Sequence, residues 1–233
     1  MTMKLLSTGV NGLDELLHGG FPEKHMVVVF GGMGTGKSTL ALQFIVNGLM
    51  KGEKTVYMSL EERENEIVES ARGFGWDIQS FIDNNMLILI RLDPNDIKST
   101  LSRIKNEMPK LIKSFGASRL VIDSITLFEM MFSDEAERRL NLFEIFAILK
   151  ETGVTALITS EAAREDSYST RYGLVEYVAD GVIMLRYVRQ DELRDVKLAV
   201  EVVKMRRHNH SRSIKPYDIT NEGIVVHSES EVF

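Results

Sequence analysis

Short apolar runs alternate along the chain with segments whose apolar residues recur every three or four positions. "MVVVF" (26–30) predicts a buried strand, and the stretch from about Ser38 to Lys51 a helix, with Ala41, Ile45 and Leu49 at helical spacing and Gly52 placed to stop it. "TVYMSL" (55–60) predicts the next strand, followed by a helix through Ile67, Ala71 and Phe74. "MLILIRL" (86–92) is a third strand, and Asn95 to Phe115 a longer helix weakened by Pro109. "RLVIDS" (119–124), a helix through Leu142, Phe146 and Leu149, and "VTALITS" (154–160) continue the alternation. Such a chain calls for an α/β fold, a mostly parallel twisted sheet with helices on both faces.

The pattern changes after Tyr187. "GVIMLRYV" (181–188), "VKLAVEVVKM" (196–205), "IKPYDIT" (214–220) and "GIVVHS" (223–228) have no helices between them, so an antiparallel extension of the same sheet is expected. No linker rich in Gly, Ser or Pro divides the 233 residues, and a single domain over 1–233 is expected. The composition, 44% hydrophobic and 27% charged, is that of a folded domain. A net charge of -6 argues against a general nucleic-acid coat, which needs a concentrated positive surface. No cysteine is present, so neither a disulfide framework nor a thiolate metal site is available. With no stretch resembling a signal peptide or membrane span, a cytoplasmic protein with no membrane contact is expected.

"GGMGTGKST" (31–39) directly follows the first strand and opens the first long helix. Gly31-x-x-x-x-Gly36-Lys37-Ser38 meets the phosphate-loop pattern in its required context. Glycines permit the tight turn and let backbone N–H groups converge on an anion, and the helix N-terminus favours phosphate. Gly32, Met33, Gly34, Thr35, Gly36, Lys37, Ser38 and Thr39 are therefore the expected nucleotide-binding residues. Lys37 should reach the β- and γ-phosphates, the Ser38 hydroxyl should ligate Mg²⁺, and Thr39 can bond the α-phosphate. Asp123 ends an apolar strand on the ligand side and fits a carboxylate holding the magnesium shell.

"SLEE" (59–62) closes the second core strand, where a carboxylate would face the γ-phosphate and could orient the attacking water. Ser59-x-x-Glu62 is also a capping-box pattern, which would occupy Glu62 and makes Glu61 the first choice of base. In "KMRRHNH" (204–210), Lys204 and Arg206 project from one face of a strand while Met205 faces away. They could be a solvated edge or an arginine-finger pair reaching a neighbouring subunit's γ-phosphate. His208 and His210 are a weak metal signal. Ser160-Glu161 ends a strand on the ligand side, Arg164–Tyr172 reads as a polar loop there, and Trp76 as partly buried against a helix.

With these residues in view, the chain resembles the RecA/RadA superfamily, and more closely its KaiC-like branch. The resemblance runs through "STGVNGLDELLHGGFP" (7–22), the phosphate loop, "SLEERENEIVESARGFGWD" (59–77), "RLVIDSIT" (119–126), "RYGLVEYVADGVIMLRY" (171–187) and "VVKMRRHNHSRSIKPYDITNEGI" (202–224). It implies an ATPase requiring ATP and Mg²⁺, with the catalytic carboxylate in Glu61-Glu62 and Lys204 and Arg206 acting across subunit interfaces of a homohexameric ring. Where the family's autokinase domain carries adjacent Ser and Thr, this chain has Glu176-Tyr177, although Ser167, Tyr168, Ser169 and Thr170 lie close in sequence. Two other readings stay open: an ATP-gated assembly module serving a protein partner, and a DNA-processing ATPase using the basic stretch Lys204–Lys215. No Asn-Lys-x-Asp motif indicates guanine.

Overall fold

Strands that are apolar on both sides must be covered on both sides, and this constraint shapes the molecule. The computed structural model describes residues 4–164, 168–189 and 196–232. In chain order the strands are β1 (Leu5–Leu6), β2 (Phe21–Pro22), β3 (Met26–Gly31), β4 (Thr55–Ser59), β5 (Leu87–Arg91), β6 (Arg119–Asp123), β7 (Thr155–Glu161), β8 (Gly181–Val188), β9 (Lys197–Met205), β10 (Lys215–Thr220) and β11 (Gly223–Val226). The helices are α1 (Leu13–Leu16), α2 (Lys37–Met50), α3 (Glu64–Gly73), α4 (Ile78–Asp83), α5 (Ile97–Ser102), α6 (Met108–Phe115), α7 (Ile125–Met130), α8 (Glu135–Thr152) and α9 (Val175–Val178).

Nine strands form one sheet in the order β11-β10-β9-β8-β3-β7-β6-β4-β5. From β8 to β5 every pairing is parallel, whereas β9, β10 and β11 join by antiparallel pairing, as the sequence predicts. Alternate residues of β3 feed two cores. Met26, Val28 and Phe30 pack with α6, α7 and α8, while Val27 and Val29 pack with α1, α2 and α3. α2 sinks Leu40, Phe44, Ile45 and Leu49 into the second core, each burial contributing about 1.5–3 kcal/mol.

The helix predicted over Asn95–Phe115 is three pieces: α5, a π-helical turn at Arg103–Glu107, and α6. Pro109 lacks the N–H that the Lys105 carbonyl would receive, and its ring crowds that carbonyl, so the register loosens one turn upstream. The short elements α1, α4, α7, α9 and the β1–β2 pair carry too few residues to show a period.

Arg119 at the start of β6 fastens three segments together without any exposed surface. It donates to Glu53 Oε2 (2.5 Å), to the Ser7 carbonyl (2.9 Å) and to the Phe44 carbonyl (2.8 Å), and it lies over the Phe44 ring. The guanidinium needs the space left by Gly48, where an added Cβ would stand 2.5 Å from its Nε. Gly48→Ala gains about 1 kcal/mol of helix propensity but overpacks this site at about 1–3 kcal/mol and strains a buried ion pair whose loss costs about 3–5 kcal/mol. Urea unfolding of Gly48→Ala should therefore show a net loss of stability of about 1–3 kcal/mol.

Candidate active site

Parallel register brings the sequence-predicted residues to one edge. Gly31 stands level with Glu161, and Ser59 with Asp123, so the phosphate-loop pattern, Glu61, Glu62, Asp123 and Ser160-Glu161 all meet at the carboxyl ends of β3, β4, β6 and β7. Open α/β sheets place their ligand sites at this edge.

The loop from Gly32 to Gly36 turns with left-handed backbone at Gly34 (φ 76°) and Gly36 (φ 83°) and delivers the chain into α2. Thr35 is buried, its hydroxyl donating to the Gly32 carbonyl (2.8 Å). Tyr217 on β10 donates its phenol to the Thr35 carbonyl (2.5 Å), so the antiparallel extension braces the loop from outside. Lys37 Nζ donates to the Gly32 carbonyl (2.9 Å), laying its ammonium across the loop. Ser38 and Thr39 occupy the first turn of α2, and Met33 is almost wholly exposed at the loop tip.

Asp123 is buried with each oxygen engaged: Tyr57 donates to Oδ2 (2.6 Å) and Thr159 to Oδ1. Burial and the Asp123 charge hold the Tyr57 phenol well above its ordinary pKa, so it stays a donor. Burial also lowers Lys37, partly offset by the charges of Asp123, Glu161 and Glu61. Glu61 is raised above the ordinary carboxylate value, first by burial and then by Asp123 and Glu161, against the opposing pull of Lys37. Glu62 is raised by burial, Asp123 and Glu66.

The capping box expected at Ser59 and Glu62 is displaced. Ser59 Oγ accepts from the Glu61 and Glu62 N–H groups (3.1 and 2.9 Å), but α3 begins only at Glu64, and it is Glu66 that reaches back to the Arg63 N–H (2.6 Å). Both carboxyls of the pair thus precede the helix, outside its cap. Ser160 Oγ lies 3.2 Å from Thr126 Oγ1, which accepts the Glu161 N–H, and Glu161 pairs with Arg171 (2.9 Å). Ser167 lies outside the described residues.

Lys204 and Arg206 stand elsewhere. Lys204 is level with Val182, and Val182 with Val28, three residues before Gly31 on β3, or about 10 Å down the strand. The Arg206 N–H bonds the Asp180 carbonyl, and Asp180 in turn bonds the Met26 carbonyl, at the amino edge of the sheet. Both side chains turn to the carboxyl end of α9. Lys204 Nζ donates to the Glu176 and Ala179 carbonyls (2.9 and 2.8 Å), and Arg206 to the Tyr177 carbonyl (3.0 Å). Burial and the neighbouring Arg206 lower the Lys204 ammonium. Among the described residues no group of three or more His, Asp or Glu can hold a metal, and His208 instead bonds the Leu17 carbonyl (2.6 Å). Trp76 is half-buried, stacked on Phe74.

Sequence reasoning passed over Tyr57, Thr159 and Thr126. Each is a hydroxyl within or next to an otherwise apolar buried strand, which was the available signal, because a buried hydroxyl requires a partner.

A glycine-rich loop joining strand to helix at the carboxyl edge of a parallel sheet, with a carboxylate on a neighbouring strand end, defines the P-loop ATPase class. The KaiC ATPase family model matches residues 6–231, and the chain belongs to that family. It is 33% identical over 228 residues to the circadian clock oscillator protein KaiC of Parathermosynechococcus lividus, covering 93% of this chain and 41% of that protein. It is 34% identical over 233 residues to KaiC of Prochlorococcus marinus, covering 97% and 46% respectively. The chain thus spans less than half the length of these curated relatives. The crystal structure of a KaiC-like protein from Pyrococcus horikoshii superposes with a TM-score of 0.86 at 35% identity, covering 97% of this chain and all of that one. No helix among the described residues is long and apolar enough to cross a membrane.

Tyr57→Phe leaves Asp123 buried with one donor. It should cost about 1–3 kcal/mol in urea unfolding, and Tyr57→Phe with Thr159→Val should deviate from additivity by at least about 0.5 kcal/mol, since both act on one carboxylate.

Proposed function

We propose that this chain, as one domain, binds ATP with Mg²⁺ in the loop Gly32–Thr39 and hydrolyses its β–γ bond, completing each site with Lys204 and Arg206 of a neighbouring copy in a ring. The observation that carries this reading is the separation of the parts. The phosphate loop and the carboxylates lie at one edge of the sheet, and the paired cations at the other. A protomer's own Lys204 and Arg206 face away from its own loop, whereas a second copy packed with its amino edge against this carboxyl edge would present them to it.

The residues fit magnesium by donor chemistry. The Ser38 hydroxyl and Asp123 are hard oxygen donors, too few for an all-protein cage, which suits an ion that keeps waters and takes phosphate oxygens. The excess of Asp123, Glu61 and Glu161 over Lys37 also favours a divalent cation at this edge. Held by Ser38 and Asp123, such an ion would supply positive charge to offset that of the phosphates. Lys37 would hold the β- and γ-phosphates, and Glu61 would accept a hydrogen bond from the attacking water, orienting it in line with the leaving ADP oxygen. Glu61 is preferred to Glu62 because its carboxyl lies in the field of Lys37.

Glu61→Gln should keep Mg·ATP binding by calorimetry and lose turnover by about 10²–10⁴, and unchanged turnover would remove Glu61 from the mechanism. The base must be ionised to act. Because the Glu61 pKa is raised, turnover should fall on acidification at a pH above the ordinary carboxylate range, and this limb should vanish from the residual activity of the Gln variant. The ring is tested by mixing. Lys37→Ala and Arg206→Ala should each be inactive alone, with losses of about 10³–10⁵ for the latter, yet regain activity when combined, since a mixed interface holds one intact loop and one intact cation pair.

A further inference from the structure

The basic end of β9 and the amino end of β8 meet around one buried carboxylate. Asp180 directly precedes β8, keeps only 2% of its surface exposed, and bonds three other segments. Its Oδ2 accepts the Met26 N–H at the start of β3 (3.2 Å), and its Oδ1 accepts from Lys150 in the last turn of α8 (2.9 Å). Arg206 Nη1 stands 3.7 Å from the same Oδ1, and the Arg206 N–H donates to the Asp180 carbonyl (2.8 Å). The Arg206 carbonyl in turn accepts from His25 Nε2 (3.0 Å), so both main-chain groups of Arg206 are fixed. Lys204 reaches the carbonyl of Ala179, the residue before Asp180.

Three cations therefore crowd one end of the sheet. Burial first and Arg206 second disfavour the Lys204 charge, with Lys150 adding to them and Asp180 and Glu176 opposing. Glu176 gives its carboxylate to the Thr170 N–H (3.1 Å) and hydroxyl. The α9 carbonyls orient the two side chains but carry no net charge, which leaves Asp180 as the anion in direct contact with the group. Burial raises the Asp180 carboxyl, but the Lys150 hydrogen bond and the Met26 N–H outweigh it and hold the acid below its ordinary value, so the counter-charge is present at neutral pH.

We propose that Asp180 is a positioning residue for the cation pair: its carboxylate and carbonyl hold Arg206, and the adjoining Ala179 carbonyl holds Lys204, in the array that a neighbouring copy's nucleotide meets. The inference rests on the trans-acting reading of Lys204 and Arg206 given above. Asp180 touches neither nucleotide nor attacking water on this reading, and acts through Arg206. Without its charge, Lys150 and Arg206 repel one another with no anion between them, and the half-exposed Arg206 side chain leaves its place. The loop, Glu61 and Asp123 lie at the opposite edge and keep their geometry. The defect must therefore travel with the pair and not with the loop.

That asymmetry can be measured. Asp180→Asn keeps the shape and an acceptor for the Met26 N–H while removing the charge. It should bind Mg·ATP within about threefold of the wild type by calorimetry, and lose about 10²-fold in turnover at saturating Mg·ATP, the cost of a small misplacement. Mixed with Lys37→Ala it should regain about tenfold over either variant alone, since its intact loop meets an intact pair. Mixed with Arg206→Ala it should regain nothing, because neither variant supplies a working pair. A merely structural role would damage the loop as well, and neither mixture would then recover. No recovery with Lys37→Ala, recovery with Arg206→Ala, or unchanged turnover in Asp180→Asn each overturns the proposal. Should Asp180→Asn fail to fold because Lys150 is left uncompensated, the double variant with Lys150→Met removes that charge, and the same two mixtures decide. Lys37→Ala mixed with Arg206→Ala separates the two levels. If that mixture does not recover, the trans reading falls and the proposal with it; if it recovers and the Asp180 mixtures do not follow the pattern, only the positioning role falls.

Discussion

One ammonium group set among several carboxylates is the interaction on which the rest of this structure turns. Lys37 feels Asp123, Glu161 and Glu61, and each of those acids is drawn there by the register of a different strand. Arg171 relieves Glu161, and Tyr57 and Thr159 solvate Asp123, but Glu61 and Glu62 remain raised above their ordinary values. An edge with this imbalance suits a ligand that brings its own cation. A polyphosphate alone would add like charge, whereas on the proposed reading the loop amides and Lys37 would take the anion and Ser38 and Asp123 would hold its cation.

The same parallel sheet that gathers these groups also separates them from Lys204 and Arg206. Strand direction fixes which end of β3 meets the loop, and β9, running antiparallel beside β8, returns its basic end to the opposite edge. Neither a rotamer change nor a small loop movement closes a gap of about 10 Å along a strand. On the proposed reading, assembly becomes part of catalysis by topology rather than by affinity. The α9 carbonyls hold the two cations as a pair before any neighbour arrives, and such preorganisation is how charge stabilisation gains strength in a partly dry site.

The strand order's parallel core, the antiparallel extension and the phosphate loop were legible because each rests on a local pattern: an apolar run, a glycine spacing, a helix of three or more turns. Lys204 and Arg206 were legible as a pair on one face, and their chain neighbour Met205 does turn into the opposite core. The helix over Asn95–Phe115 was misread in detail, since composition shows that Pro109 weakens a helix but not whether the chain answers with a stop or a π turn. The Ser59–Glu62 cap was misread because Ser59 Oγ does bond the Glu62 amide, yet α3 starts four residues later than such a cap would place it, with Arg63 at its N-cap. Least legible were contacts between distant segments. Arg119 meeting Ser7, Phe44 and Glu53, or Tyr217 bracing Thr35, leave no trace in spacing, because the partners meet only after the sheet has formed.

α7 joins two of the strand ends that carry the site's charges. It starts one residue after Ser124, which follows Asp123, and Thr126 in its first turn accepts the Glu161 N–H and neighbours Ser160. The β6–β7 ladder itself runs only to Ile122 and Ile158. The Thr126 hydroxyl therefore continues the tie past the last strand pair, so that Asp123 and Glu161 are held relative to one another by a side chain where main-chain pairing has already stopped.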